Sequence, residues 1–255
     1  MMKHLFIPDV QSKEGVPLEH LSWIGQYIVV KKPDVVIQIG DFADMPSLSS
    51  YDKGKRSFEG RRYKKDIEYA TKAMDILLQP MIDYNKHQAD VGHRKQYKPR
   101  LVLTLGNHEQ RIERAINAQA ELEGMLSYDD LPYGDWEVHD YLKPVFIDGV
   151  CYTHFMANPM TGQPYGGMAA TILKNVGHSF VVGHAQKLEV ATRHLTTGQQ
   201  QWGIIAGSAY LHDEEYKGYQ GNQHWRGIIM LNDVKDGSFD PMFISLDYLN
   251  RRYGD

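Results

Sequence analysis

Val35-Val36-Ile37-Gln38-Ile39-Gly40-Asp41-Phe42-Ala43-Asp44 is a short β-branched run cut off by a glycine and an aspartate. A run of that length, stopped by turn residues, predicts a buried strand whose end carries a carboxylate. Leu101 to Leu105, followed by Gly106-Asn107-His108-Glu109, repeats the form, as does Leu5 to Ile7 before Pro8-Asp9. Between these runs the apolar spacing becomes helical: Leu18, Leu21, Ile24 and Ile28, then Ile67, Ala70, Met74, Leu77 and Met81. Ile112, Ile116 and Ala120 predict a further helix, ending near Gly124. Strand and helix alternate through the first half, which argues for an α/β fold with parallel strands.

The second half reads differently. Val145 to Thr153 has the form of a hairpin turning at Asp148-Gly149. Ala169 to Val176 predicts a short helix; Phe180 to Val182, Gly203 to Ala206 and Gly227 to Leu231 predict strands, and Lys235-Asp236-Gly237 a turn. No repeat, low-complexity tract or linker divides the chain, so a single domain over residues 1–255 is expected.

With 42% apolar and 24% charged residues the chain has the composition of a soluble globular protein with a real core. Its net charge of −4 gives no global positive field to attract nucleic acid, which leaves a local basic groove open. The single cysteine, Cys151, excludes an internal disulfide framework and fits a reducing compartment. It alternates with apolar neighbours, as a small buried side chain does. The N-terminal apolar stretch is too short for a signal peptide, and no run approaches a membrane span. A cytoplasmic protein without a membrane partner is the expectation.

The chemistry collects at strand ends. Asp9 follows the first strand, Asp41 the second, Asn107 and His108 the third, His154 the hairpin, and His184 the strand Phe180–Val182. Open α/β sheets place their sites at the carboxyl ends of strands. One such residue is explained by a cap or a turn; the succession is not. Carboxylate, amide and imidazole together are ligands for a divalent metal.

These residues also carry a family resemblance. Asp9-Val10-Gln11, Gly40-Asp41-Phe42-Ala43-Asp44, Gly106-Asn107-His108-Glu109, His154 and Gly183-His184-Ala185-Gln186 resemble, in order and spacing, the motifs of calcineurin-like metallophosphoesterases. Those motifs are D-x-H, G-D-x-x-D, G-N-H-E/D, a lone histidine and G-H-x-H. The chain as a whole is similar to small members encoded by bacteriophages, which would place it in a host cytoplasm. The resemblance implies a four-layer α/β/β/α sandwich of two facing mixed sheets. It implies that Asp41 bridges two metals, that Asn107, His154 and His184 complete one site, and that Asp9 belongs to the other with positions 11 and 186. His108, held by Asp44, would contact the scissile phosphate or protonate the leaving oxygen. Two such cations clamp a phosphoryl group and generate hydroxide at neutral pH.

The sequence departs from the family pattern at Gln11 and Gln186, where histidines are expected, and both changes fall in the same metal site. Glutamine coordinates only through a neutral amide oxygen. The site of Asp9, Gln11, Asp41 and Gln186 becomes all-oxygen and suits Mn²⁺, Mg²⁺ or Ca²⁺, while the mixed site suits Mn²⁺, Fe²⁺ or Zn²⁺. Mn²⁺ serves both. Three outcomes follow: two metals with one loosely held, a single metal, or a binding role without catalysis.

Lys53, Lys55, Arg56, Arg61, Arg62, Lys64 and Lys65 are interleaved with Tyr51, Phe58 and Tyr63. This segment reads either as a phosphate-binding flap with stacking platforms, in which Arg61 and Arg62 hold substrate, or as a solvated loop. Arg111 is placed to reach a substrate phosphate, whereas Arg114 is expected to pair with a surface acid. His93 to Arg100 reads as a soluble loop, and His212, Asp213, His224, Trp225 and Arg226 as ordinary loop residues or a rim over the substrate. The substrate expected is a phosphodiester, a nucleotide or nucleic acid. The alternatives are a phosphomonoester, phosphoproteins included, or a metal-stabilised nucleic-acid-binding module.

Overall fold

The parallel strands expected from the first half form the centre of one sheet in the computed structural model, which describes residues 2–214 and 217–254. In it β1 (Met2–Ile7), β2 (Val35–Gln38), β3 (Arg100–Thr104) and β4 (Glu137–His139) run parallel. β10 (Gly227–Lys235) pairs antiparallel with β1, and β11 (Ser238–Ser245) with β10, giving the order β11-β10-β1-β2-β3-β4. The second sheet has the order β5-β6-β7-β9-β8, built from β5 (Val145–Ile147), β6 (Val150–Thr153), β7 (Phe180–Val182), β8 (Glu189–His194) and β9 (Gln200–Ile205). Its central strands β6, β7 and β9 are parallel and its edges antiparallel. The helices are α1 (Glu19–Lys31), α2 (Tyr63–Asp90), α3 (Arg111–Ala118), α4 (Ala169–Val176), the single turn α5 (Gly218–Gly221) and α6 (Leu246–Tyr253).

Side chains alternate across each strand, so every buried strand feeds two cores. Phe6, Ile37 and Val102 of the first sheet share a core with Tyr152, Val181 and Ile204 of the second, which sets the sheets face to face. On the other face of the first sheet, Leu5, Val36 and Leu103 pack with Ile24 and Ile28 of α1, Met74 and Leu77 of α2, and Leu249 of α6. Cys151, Phe180 and Ile205 turn from the second sheet toward Ile172 and Leu173 of α4. Among the described residues the result is an α/β sandwich of two mixed sheets and six α-helices. Cys151 is buried there as expected, and burial pushes its thiol up to about 12.

The hairpin turns as its sequence requires: Asp148 (φ 49°) and Gly149 (φ 81°) both take the left-handed conformation of a type I′ turn. The β10–β11 turn repeats this with Asp236 and Gly237. α2 extends well beyond the helix predicted over Ile67–Met81, running through Pro80 to Asp90.

His20 on α1 is 1% exposed. Burial lowers it to about 3, and only the backbone of Ala209 favours its protonated form. The folded pKa lies below the unfolded value of about 6.5, so this neutral imidazole costs nothing above pH 6.5. Stability is lost as pH falls from there toward 3, by about 5 kcal/mol in full. Urea denaturation across that range should show His20→Leu losing less stability than the parent chain. Parallel pH profiles would contradict a buried neutral His20.

Candidate metal centre

The two glycine-ended strands decide the local geometry. A Cβ at Gly40 (φ 90°) would run into the backbone of Gly106, and one at Gly106 would strike the Asp41 carboxylate. The loops after β2 and β3 therefore touch without side chains between them, and a buried carboxylate clasps them. One oxygen of Glu109 accepts the N–H groups of Asp41 and Gly106, both at 2.9 Å. The other accepts the N–H of Ala43 at 3.0 Å and the hydroxyl of Tyr133 at 2.9 Å. The loop after β1 joins through Val10 and Gln11, whose N–H groups donate to the carbonyl of Asp41 at 3.0 and 2.8 Å.

This frame brings donor atoms from both sheets to one point. His154 donates from Nδ1 to the Ile39 carbonyl at 2.9 Å, which turns Nε2 toward Asn107 Oδ1 (2.9 Å) and Asp41 Oδ2 (3.3 Å). His184 Nδ1 lies 2.8 Å from the same Asn107 oxygen. Asp41, His154 and His184 each offer one ligand atom, all within 4.8 Å of one another, and can hold a metal ion. Around a divalent ion with ligands at roughly 2.1 Å, neighbouring ligands stand about 3 Å apart, which the 3.3 Å between His154 Nε2 and Asp41 Oδ2 and the 2.9 and 2.8 Å from Asn107 Oδ1 to the two imidazoles fit. Four residues expected as ligands take left-handed backbone: Gln11 (φ 48°), Asp41 (52°), His184 (63°) and Gln186 (51°). Non-glycine residues rarely do so, and such strain concentrates at functional sites.

The electrostatics suit a cation. Burial opposes charge on both Asp41 and His154, yet their mutual attraction, with His108 beside Asp41, holds Asp41 well below the carboxylate range and raises His154 to about 9. Burial and the nearby His154 lower His184 to about 4, leaving it neutral and able to coordinate.

The remaining expected ligands are arranged less simply. Asp9, fully buried, accepts from the His184 N–H at 3.0 Å and from Gln186 Nε2 at 3.2 Å. Burial and then the Asp41 charge raise it to about 6. Gln11 is buried beside it, with neither amide atom hydrogen-bonded within the protein. Gln186 presents its oxygen to the Tyr210 hydroxyl at 2.8 Å and to the Lys217 ammonium.

His108 and Asp44 meet as expected, Nδ1 to Oδ1 at 2.6 Å, and His108 Nε2 stands 3.6 Å from Asp41 Oδ2. Burial opposes its charge, but Asp41 and Asp44 outweigh it, and the His108 pKa is raised. Asp44 is held far below its usual range against its own burial by His108, Lys13 and Arg111. Lys13 bridges Asp44 (2.8 Å) and Glu214 (2.6 Å), and Glu214 takes His212 at 2.8 Å.

The basic segment divides. Arg61 donates to the Pro46 carbonyl (3.0 Å) and to Asp52 (2.8 Å), and Arg62 to the carbonyl of Arg61 (2.8 Å); Arg61 is a brace, not a free cation over the site. Arg111 donates to the Asp44 carbonyl at 2.6 Å and stands 3.5 Å from His108 Nε2. Arg114 reaches the Asn107 carbonyl rather than a surface acid. Asn107, Arg111, Arg114, Lys53 and Tyr51 line a groove of about 310 Å³. The late segment is a braced rim: Arg226 pairs with Asp213 at 2.6 Å and lies over the Tyr210 ring, and His224 meets Ser208 Oγ at 2.7 Å. Sequence reasoning gave no role to the Glu109 clasp, Lys13, Tyr210 or Lys217. Glu109 alone had a signal, its place beside His108.

No family model and no curated protein matches the chain. One solved crystal structure aligns over 95% of this chain and 99% of its own at 12% identity, with a TM-score of 0.37. A likeness that weak carries no argument.

Glu109→Gln tests the clasp. Each oxygen holds two donors, so the new NH₂ must face a backbone N–H wherever it turns, stranding at least one buried donor. We expect a loss of about 1–3 kcal/mol in urea denaturation. Unchanged stability would mean the loops are held by something else.

Proposed function

We propose that this chain is a metal-dependent phosphoesterase of the calcineurin-like metallophosphoesterase class, with that class's four-layer α/β/β/α arrangement, and that it cleaves a phosphodiester, a nucleotide or nucleic acid. The observation that carries this reading is one shared carboxylate. Asp41 Oδ2 faces His154 Nε2 in the metal-donor cluster and also lies 3.6 Å from His108 Nε2. A cation site and a proton-bearing imidazole thus look at the same small volume, as ester hydrolysis needs.

Asp41, Asn107, His154 and His184 would hold the ion. When bound, a divalent cation supplies charge for the phosphoryl oxygens and acidifies water at neutral pH. The protein's own residues do the rest. Asp44 fixes the His108 ring through Nδ1, which leaves Nε2 as the edge that presents a proton. The neighbouring Asp41 and Asp44 carboxylates raise the His108 pKa against its burial and so favour the proton-bearing ring. As the oxygen of a water that has released one proton to solvent bonds to phosphorus and the ester P–O bond breaks, the Nε2 proton passes to the departing alkoxide. Arg111, anchored on Asp44 and next to His108 Nε2, is placed to hold a non-bridging phosphoryl oxygen.

The groove favours a diester. A monoester has one organic substituent, whereas a diester has a second that must lie somewhere. A trough lined by Asn107, Lys53, Arg111, Arg114 and the exposed Tyr51 ring offers it cations and a stacking face.

Metal-stripped protein titrated with Mn²⁺ should hydrolyse bis(p-nitrophenyl) phosphate faster than p-nitrophenyl phosphate. His108→Ala should keep its metal but lose roughly 10²–10⁴-fold on a dinucleotide, whose alkoxide needs a proton. It should lose much less on the nitrophenyl ester, whose leaving group does not. Preference for the monoester would point to a phosphomonoesterase. No turnover with any divalent ion, and unaltered nucleic-acid binding by His108→Ala, would leave only the binding module.

A further inference from the structure

We infer that Lys217 takes the place of a second divalent cation, so that the chain works with one metal ion and one resident ammonium group. The inference rests on the phosphoesterase reading above but concerns only the half of the site built from Asp9, Gln11 and Gln186.

For Gln186 to ligate a metal, its amide oxygen must point at the ion. That oxygen accepts from the Tyr210 hydroxyl at 2.8 Å and from the Lys217 ammonium, which uses both of its lone pairs. Its NH₂ points to Asp9 Oδ2 at 3.2 Å. Turning the amide over would set its oxygen against a carboxylate and its NH₂ against an ammonium. Lysine has no acceptor with which to adapt, so the network fixes the amide orientation. Lys217 is held as well: it meets the Tyr210 hydroxyl at 2.9 Å and lies 5.7 Å from the centre of that ring. A metal on Gln186 therefore requires Lys217 to leave. The residues present do not fit a second ion.

Charge and hydrogen bonding agree with the substitution. Asp9 and Asp41 are the carboxylates of the pair, and one divalent ion with one ammonium leaves a single net positive charge. That complements a phosphodiester monoanion. Gln11 keeps both amide atoms buried without a protein partner. A metal would use its oxygen alone, whereas a water or phosphoryl oxygen beside Asp9 can also use the NH₂. Glutamines at positions 11 and 186 and an ammonium at position 217 are then parts of one arrangement.

The test is a metal count on the stripped full-length chain titrated with Mn²⁺, by calorimetry and by electron paramagnetic resonance of the bound ion. The parent chain should bind one tight equivalent and show the spectrum of an isolated ion. Lys217→Met combined with Gln186→His should take up a second equivalent about tenfold or more tightly than the parent, with an exchange-coupled spectrum. Lys217→Arg, which keeps the charge, should stay at one. Two equivalents and a coupled pair in the parent would overturn the inference while leaving the phosphoesterase reading intact. So would a Lys217→Met/Gln186→His chain that is folded, keeps the first ion and still refuses a second. A parent chain that binds no ion contradicts both readings.

Discussion

Four carboxylates, Asp9, Asp41, Asp44 and Glu109, are buried together beyond the carboxyl ends of β1, β2 and β3, none more than 6% exposed. Buried charge is costly unless it is paired or hydrogen-bonded, and most of the surrounding structure answers that cost. Glu109 is satisfied by four hydrogen-bond donors and becomes structural. Asp44 is surrounded by Lys13, His108 and Arg111. Asp41 faces two imidazoles, and Asp9 has one backbone N–H, one amide and the more distant field of Lys217. The same crowding can hold a cation beside Asp41, His154 and His184.

The sandwich makes this crowding possible. Parallel strands β1, β2 and β3 in one sheet and β6 and β7 in the other all end at this site and deliver its polar side chains, those after β1, β2 and β7 partly from left-handed backbone. Because the sheets share a dry core of Phe6, Ile37, Tyr152, Val181 and Ile204, the spacing of the two ligand sets is fixed by packing rather than by the loops. From the late segment, Tyr210 and Lys217 reach Gln186, and Arg226 lies over the Tyr210 ring.

Much of this was legible in the sequence, for identifiable reasons. Residues buried on both strand faces leave continuous apolar runs, so β1, β2, β3 and β7 could be placed, and Asp148-Gly149 can hardly be anything but a turn. The strands that escaped notice lack those signals. β8 is a largely exposed edge, β11 is broken by Asp240-Pro241, β4 is three residues long, and α6 buries little beyond Leu246 and Leu249. In the site, the strand-end residues could be read because their chemistry is unusual there. Arg61 could not, because a bracing arginine and a substrate-binding arginine look alike until Asp52 is seen beside one of them. Nor could Lys217: nothing in the chain ties a lysine in a glycine-rich loop to a glutamine thirty-one residues earlier.

The account stands on a cation at the crossing of Asp41, Asn107, His154 and His184. Anomalous X-ray scattering from crystals grown with Mn²⁺, collected on both sides of the manganese edge, tests that directly. A peak within coordination distance of Asp41 Oδ2, Asn107 Oδ1, His154 Nε2 and His184 Nδ1 is predicted. Manganese only on surface carboxylates, with those four donors bridged by water or by one another, would contradict it.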